Sequence, residues 1–254
     1  MGNLHEGHLS LIRKARTLAG ENGLVLVTIF VNKTQFGPRE DFKKYPRTLK
    51  EDLAHCRQLG VDIVFAPDDE AMYGGDHSTF VSEERLAKRM EGASRPTHFR
   101  GVTTVVAKLF NLTQPDIAVF GAKDWQQTAV ISRMVDDLNF PVRIVTAPTI
   151  REPDGLAMSS RNARLRVDER HAACSLSKAL FKARDAVSRG IVDADSLREG
   201  IAQTLFTAGA QVDYIEIVDQ ITLQTVKKID GPTVIALAAH VGDVRLIDNV
   251  EVHP

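Results

Sequence analysis

"LVLVTIFV", residues 24–31, holds eight consecutive residues with no charge and a single hydroxyl. A run this continuous and this rich in β-branched residues is the mark of a strand covered on both faces, as in a parallel sheet flanked by helices. Upstream, Leu11, Ile12, Ala15, Leu18 and Ala19 recur at helical spacing, and Asn22-Gly23 is placed to end that helix. Downstream comes the polar segment "NKTQFGPREDFKKYPR", in the position after a buried strand where α/β proteins bind ligands.

The alternation continues. Thr48 and Glu51 have capping-box spacing for a helix reaching about Leu59, and "DIVFAP" is a strand stopped by Pro67. Residues 73–79 read as a mobile, glycine-containing loop. A helix over about 102–112, the strand "DIAVFG", a helix over about 125–138 and the strand "VRIVTAP" complete the series. Strands and helices in this order imply a parallel sheet with right-handed crossovers.

Near residue 150 the pattern changes. Two helices come in succession, at about 168–188 and 194–208, and then the strands "VDYIEIVD", "TVIALAAH" and "VRLIDNVEV". Gly242-Asp243 between the last two is a hairpin signal. The expected organisation is α/β, with a parallel-sheet domain over 1–148 and a smaller α+β domain over 149–254.

Composition narrows the function. With 254 residues, 43% hydrophobic and 26% charged, the chain reads as an ordinary globular protein. A formal net charge of −1 gives no basic field for a nucleic acid. The longest apolar runs, "LVLV" and "VIALAA", fall far short of a membrane span, and no signal-peptide pattern opens the sequence. Cys56 and Cys174 have neither disulfide-framework nor metal-ligand spacing, so a reducing cytoplasmic location is expected.

Three segments carry candidate chemistry. "MGNLHEGHLS" puts His5 and His8 around Gly7 at a helix entrance. A zinc pair is one reading, but a convincing third ligand is missing. A glycine that bares backbone between two imidazole donors suits a phosphate better. "GLAMSSRN" offers Ser159, Ser160 and Arg161 to polyphosphate oxygens from a flexible segment after the last parallel strand. "FGAKDWQQ" sets Gly121, Lys123 and Asp124 at the carboxyl end of a strand, with Lys123 able to stabilise phosphoryl charge. Gln35 and Gln127 add neutral amides suited to a hydroxy acid. Neither a P-loop nor a G-x-G-x-x-G fingerprint is present.

These residues resemble the pantoate–β-alanine ligase family. The likeness runs through "MGNLHEGHLSLI", "IFVNKTQFGPREDFKKYPRTLKED", "VDIVFAP", "MEGASRPTHFRGVTTVVAKLFNLTQPDIAVFGAKDWQQ", "PTIREPDGLAMSSRNARL" and "GDVRLIDN", nearly the whole chain. It implies a Rossmann-like domain closed over by a smaller C-terminal lid, a homodimer formed through the N-terminal domain, and ATP with Mg2+. The implied reaction joins pantoate to β-alanine through a pantoyl-adenylate, releasing AMP and pyrophosphate.

The resemblance also assigns roles. Met1, Gly2, Asn3, Leu4, His5, Glu6, Gly7 and His8 match the ATP-binding segment, with His8 at the position of its proton donor. Gly121, Ala122, Lys123 and Asp124 match a nucleotide-binding stretch, and Ile150 a backbone contact on the adenine side. Met158, Ser159, Ser160 and Arg161 match the phosphate-gripping loop. Gln35 and Gln127 match the glutamines that hold pantoate, and Asn32 and Arg95 lie near substrate. His8, His5 and Lys123 are the expected catalytic donors.

Several positions depart from the family pattern: Lys33 stands for Pro, Ala122 for Glu and Thr97 for Gly, and "MYGGD" replaces "MYP". The family also has roughly thirty residues ahead of this Met1, including a strand. In a Rossmann order that strand lies mid-sheet, so a sheet lacking it is expected to leave backbone groups unpaired. A nucleotidyltransferase that keeps the nucleotide in its product, and a nucleotide binder without turnover, are the alternative readings.

Overall fold

Helix α1 (Glu6–Ala19) opens directly on the two histidines and ends at Gly20, three residues short of the expected Asn22-Gly23 stop. Gly20 adopts φ +65 and returns its N–H to the Arg16 carbonyl, which closes the last turn first. The structure is a computed structural model that describes residues 2–37, 42 and 45–254. The chain divides into two compact units, Met1–Thr149 and Ile150–Pro254.

In the first unit, β1 (Leu26–Thr28) pairs in parallel with β2 (Ile63–Phe65), joined by α2 (Leu49–Gln58). The strand is far shorter than the apolar run predicts, and Leu24 is 72% exposed. A ladder extends only as far as its partner, and β2 supplies three residues. The expected Thr48 capping box does not form: the Thr48 side chain makes no cap hydrogen bond and turns instead to Asp52.

After the short helices α3 (Asp69–Met72) and α4 (Glu91–Ser94) comes α5 (His98–Thr113), which begins four residues before the expected start. His98, Phe99 and Gly101 are buried in that added turn, so packing extends the helix past its β-branched stretch. Next, β3 (Ile117–Gly121) pairs in parallel with β4 (Arg143–Ala147) across α6 (Trp125–Asp137), with five residue pairs in register.

The parallel strands therefore form two separate pairs, β1-β2 and β3-β4, instead of one continuous sheet. Helix α1 packs on both. Ile12 shares a core with Val25, Ile29 and Cys56 near the first pair, while Leu11 stands beside Gly121 of the second. Among the described residues, β1 and β3 each pair along one edge only, and every residue of either strand is only partly buried.

The second unit begins with a clipped turn, Arg151 bridging Ala157, and a single 3-10 turn over Ser160–Arg164. Helices α7 (Arg170–Val187) and α8 (Ala194–Thr207) then pack on an antiparallel sheet of β5 (Gln211–Asp219), β6 (Thr233–Val241) and β7 (Val244–Val252), in that order. Val241 pairs with Val244, leaving Gly242-Asp243 as the two-residue turn, with Gly242 at φ +54. Leu176, Leu180, Ile201, Leu205, Ile217, Ile235 and Leu237 form a core with at most 1% exposure each.

Candidate nucleotide and substrate site

Around the α1 N-terminus the two imidazole centroids lie 4.0 Å apart. His5 is the N-cap; its carbonyl accepts the N–H of His8 at 2.7 Å, and its own N–H donates to His8 Nδ1 at 3.2 Å. An Nδ1 that accepts leaves the neutral ring's proton on Nε2, so His8 presents an N–H donor. Burial, then the neighbouring His5, pushes the His8 pKa down to about 3. The ring is neutral at physiological pH and donates a hydrogen bond without carrying charge.

The segment before α1 is held from a distance. Asp52 of α2, 1% exposed, accepts the N–H of Asn3 at 2.9 Å on one oxygen and of Leu4 at 2.7 Å on the other. Asn3 sits at φ +55, and the clamp fixes that turn. Gly2 lies against the same carboxylate and the side chains of Ile29 and Val31. Met1, the first of the expected ATP-binding residues, lies outside the described residues. Glu6 faces away, in an exposed pair with Arg13 that lowers its pKa. Gly7 accepts the Ser10 hydroxyl on its carbonyl.

Gly121 ends β3, and Ala122, Lys123 and Asp124 make a 3-10 turn into α6. Lys123 and Asp124 approach within 3.6 Å, and both charges are felt at His8. The structure thus brings His5, His8, Lys123 and Asp124 to one end of the first unit, at the carboxyl edge of β3. Ala122 is the first residue of that turn.

A second cluster surrounds Gln35, in the 3-10 turn Lys33–Gln35 after β1. Asn32, 3% exposed, accepts on Oδ1 from the Tyr73 hydroxyl at 2.7 Å and from the Thr34 hydroxyl at 2.8 Å. Its Nδ2 donates to Gln35 Oε1 at 3.2 Å and to the Gly101 carbonyl at 3.0 Å. Asn32 therefore fixes the oxygen end of the Gln35 amide. The Gln35 carbonyl accepts from Arg95 at 3.2 Å and faces His98 Nδ1 at 2.9 Å. A carbonyl only accepts, so His98 carries its proton on Nδ1 there. Arg95 also pairs with Glu91 at 3.6 Å. Gln127 is half-buried in the first turn of α6.

Gly101 is what lets α5 approach this turn: a Cβ there would stand 2.5 Å from the Thr34 carbonyl oxygen and 2.6 Å from the Gln35 nitrogen. Of the departures from the family pattern, Lys33 is exposed and 3.8 Å from Asp69. Thr97 caps α5 at φ −95, a conformation any residue adopts. Asp52, Tyr73, His98 and Gly101 join the site without any motif in the sequence to mark them. Their roles arise from partners forty or more residues away, and Gly101 falls just ahead of the helix expected from about residue 102.

In the second unit, Ile150 accepts the Met158 N–H at 2.9 Å. The expected flexible segment is instead ordered. Arg151 forms a two-pronged pair with buried Asp248 at 2.6 and 2.9 Å, and Arg170 reaches Glu152 and Asp154 at 2.6 Å each. The Arg170 guanidinium holds the Asp154 carboxyl well below the usual carboxylate range. Ser159 then accepts the Arg161 N–H on its hydroxyl, and Ser160 and Arg161 start the 3-10 turn. Ordering comes from these ion pairs, which composition alone does not reveal.

Among the described residues, no helix is long and apolar enough to cross a membrane, and no three His, Cys, Asp or Glu side chains gather to hold a metal. Cys56 and Cys174 are free and buried.

Residues 1–251 match the family model described as pantoate-beta-alanine ligase. A pantothenate synthetase of Anaeromyxobacter dehalogenans is 56% identical over 253 residues, covering 98% of this chain and 88% of that protein. One from Moorella thermoacetica is 51% identical over 251 residues, with the same coverage. Among solved structures, the pantothenate synthetase of Thermus thermophilus superposes with a TM-score of 0.95 at 44% identity, over 100% of this chain and 91% of that one. The Francisella tularensis pantoate-beta-alanine ligase, complexed with beta-gamma ATP and beta-alanine, gives 0.79 at 35% identity, over 98% and 86%. Matched by that family model over nearly its whole length and by relatives that share more than half of its residues, the chain belongs to the pantoate-beta-alanine ligase family.

Proposed function

We propose that this protein condenses pantoate with β-alanine at the expense of ATP, through a pantoyl-adenylate, releasing AMP and pyrophosphate. The observation that carries the reading is the His8 tautomer: Nδ1 accepts from the His5 N–H, which leaves Nε2–H as a neutral donor at a helix N-terminus.

In the first step a pantoate carboxylate oxygen attacks the α-phosphorus, the bond to the bridging oxygen breaks, and pyrophosphate leaves with that electron pair. Two anions must meet, and negative charge builds on the phosphoryl oxygens. The His8 donor, His5, Lys123 and the α1 N-terminus oppose that charge. Gly2, Asn3, Leu4, Glu6 and Gly7 line the nucleotide with backbone, together with the 121–124 turn. Gln35 and Gln127 hold pantoate by their amides, with Asn32 and Arg95 ordering Gln35. In the second step the β-alanine amine attacks the acyl carbon, AMP departs, and the nitrogen loses a proton.

By the family resemblance, residues 1–148 bind ATP and pantoate and residues 149–254 form the lid domain, with Ile150 toward adenine and Met158, Ser159, Ser160 and Arg161 gripping phosphate. Mg2+ would serve as the counter-ion of ATP, a hard cation that would take phosphate oxygens and water as ligands and would need few protein carboxylates. A cytoplasmic homodimer formed through the N-terminal unit completes the proposal.

The test is product analysis on the purified chain with ATP, pantoate and β-alanine. AMP and an amide in equal amounts are expected. A product that retains the nucleotide, or ATP binding with no AMP formed, would overturn the proposal.

A further inference from the structure

Gln126 stands next to Gln127 on α6 but is 4% exposed, and its amide is directed into the protein. Its Nε2 donates to the Leu86 carbonyl at 2.9 Å and the Arg89 carbonyl at 2.7 Å, while its Oε1 accepts the Glu91 N–H at 3.0 Å. One side chain thereby closes the backbone over residues 86–91. That turn needs closing: Met90 is held at φ +46, and Gly92 folds so tightly that a Cβ would fall 1.7 Å from the Ala87 carbonyl oxygen.

The turn in its stead positions Glu91 and the residues after it. Glu91, 7% exposed, pairs with Arg95 one helical turn on. Arg95 donates to the Gln35 carbonyl, and His98 sits on the same oxygen. The path from Gln126 to Gln35 is therefore continuous: amide, turn, carboxylate, guanidinium, carbonyl. Glu91 itself joins turn to carboxylate, and every other link is a hydrogen bond or ion pair between buried or half-buried groups, where geometry is transmitted and not absorbed by solvent.

We infer that Gln126 is a positioning residue for the pantoate site, acting on Gln35 through the 86–91 turn and Arg95. The inference rests on the reading of Gln35 as a pantoate contact. It makes the paired glutamines of "WQQ" complementary, the first ordering the turn and the second facing substrate.

Titration calorimetry of pantoate and of ATP on the purified chain tests it, with Gln126→Met, Gln35→Ala and the double variant. Gln126→Met keeps the volume and removes all three hydrogen bonds. It is expected to weaken pantoate about tenfold while ATP affinity stays within about twofold. The double variant is expected to bind pantoate no more weakly than Gln35→Ala alone, since one acts through the other. Full additivity, an equal loss for ATP, or unchanged pantoate binding in Gln126→Met would overturn the inference. If Gln35→Ala itself leaves pantoate affinity unchanged, the Gln35 assignment fails first and the inference falls with it. Gln126→Glu, which keeps the acceptor and the volume but not the donors, carries the same test if Gln126→Met does not fold.

Discussion

Asp52 on α2 accepts the backbone N–H of Leu4 at 2.7 Å across 48 positions of sequence, one residue before the histidine that caps α1. With its other oxygen on the Asn3 N–H, the carboxylate fixes the path by which the chain enters the helix. Asp52→Asn keeps the shape and one acceptor but turns an NH2 toward one of the two N–H groups. A loss of about 2 kcal/mol of stability is expected, with weaker ATP binding. Denaturant unfolding and nucleotide titration check this; unchanged ATP affinity would remove Asp52 from the site's support.

His8→Ala is expected to lower adenylate formation by about two to three orders of magnitude, the usual effect of removing a donor to developing charge. Pyrophosphate release in a single turnover without β-alanine is the measurement. Near-normal release would strip His8 of its role.

Acid acts on the same ring through linkage. His8 titrates near 3 in the folded protein against 6.5 when unperturbed. Between those values the unfolded chain binds the extra proton, so stability falls as pH falls. From pH 6.5 to 5 this contributes about 2 kcal/mol. His8→Asn is expected to flatten that part of the curve of unfolding free energy against pH; an unchanged slope would mean that the ring is not buried neutral.

Gly101→Ala places a methyl against backbone on the 34–35 turn, with no flexible side chain to give way. Overpacking of this kind costs about 1–3 kcal/mol. The displacement falls on Gln35, so pantoate affinity is expected to drop more than ATP affinity. Calorimetry of the two ligands decides it, and equal losses would point to a general loosening.

Strand and helix order was legible in the sequence because apolar periodicity reports burial, and the 241–244 hairpin because Gly242-Asp243 fits few other turns. The histidine pair and the 121–124 turn were legible because glycine and paired donors at element ends have few structural uses. The length of β1 was not, since a strand's extent depends on the strand beside it. Nor were the Thr48–Asp52 contact, the start of α5, or the order of residues 150–164. Each is set by a side chain whose partner is chosen by the fold. Asn32 shows the difference most clearly. Its place beside the site was read from resemblance, while its engagement with Tyr73, Thr34, Gln35 and Gly101 emerges only in three dimensions.

The pairing of Arg151 with Asp248 carries a different consequence. That carboxylate is almost wholly enclosed and sets both of its oxygens on one guanidinium. A charge enclosed on such terms tolerates no neutral substitute for its partner, so the choice of residue at 151 is governed by the strand that carries residue 248.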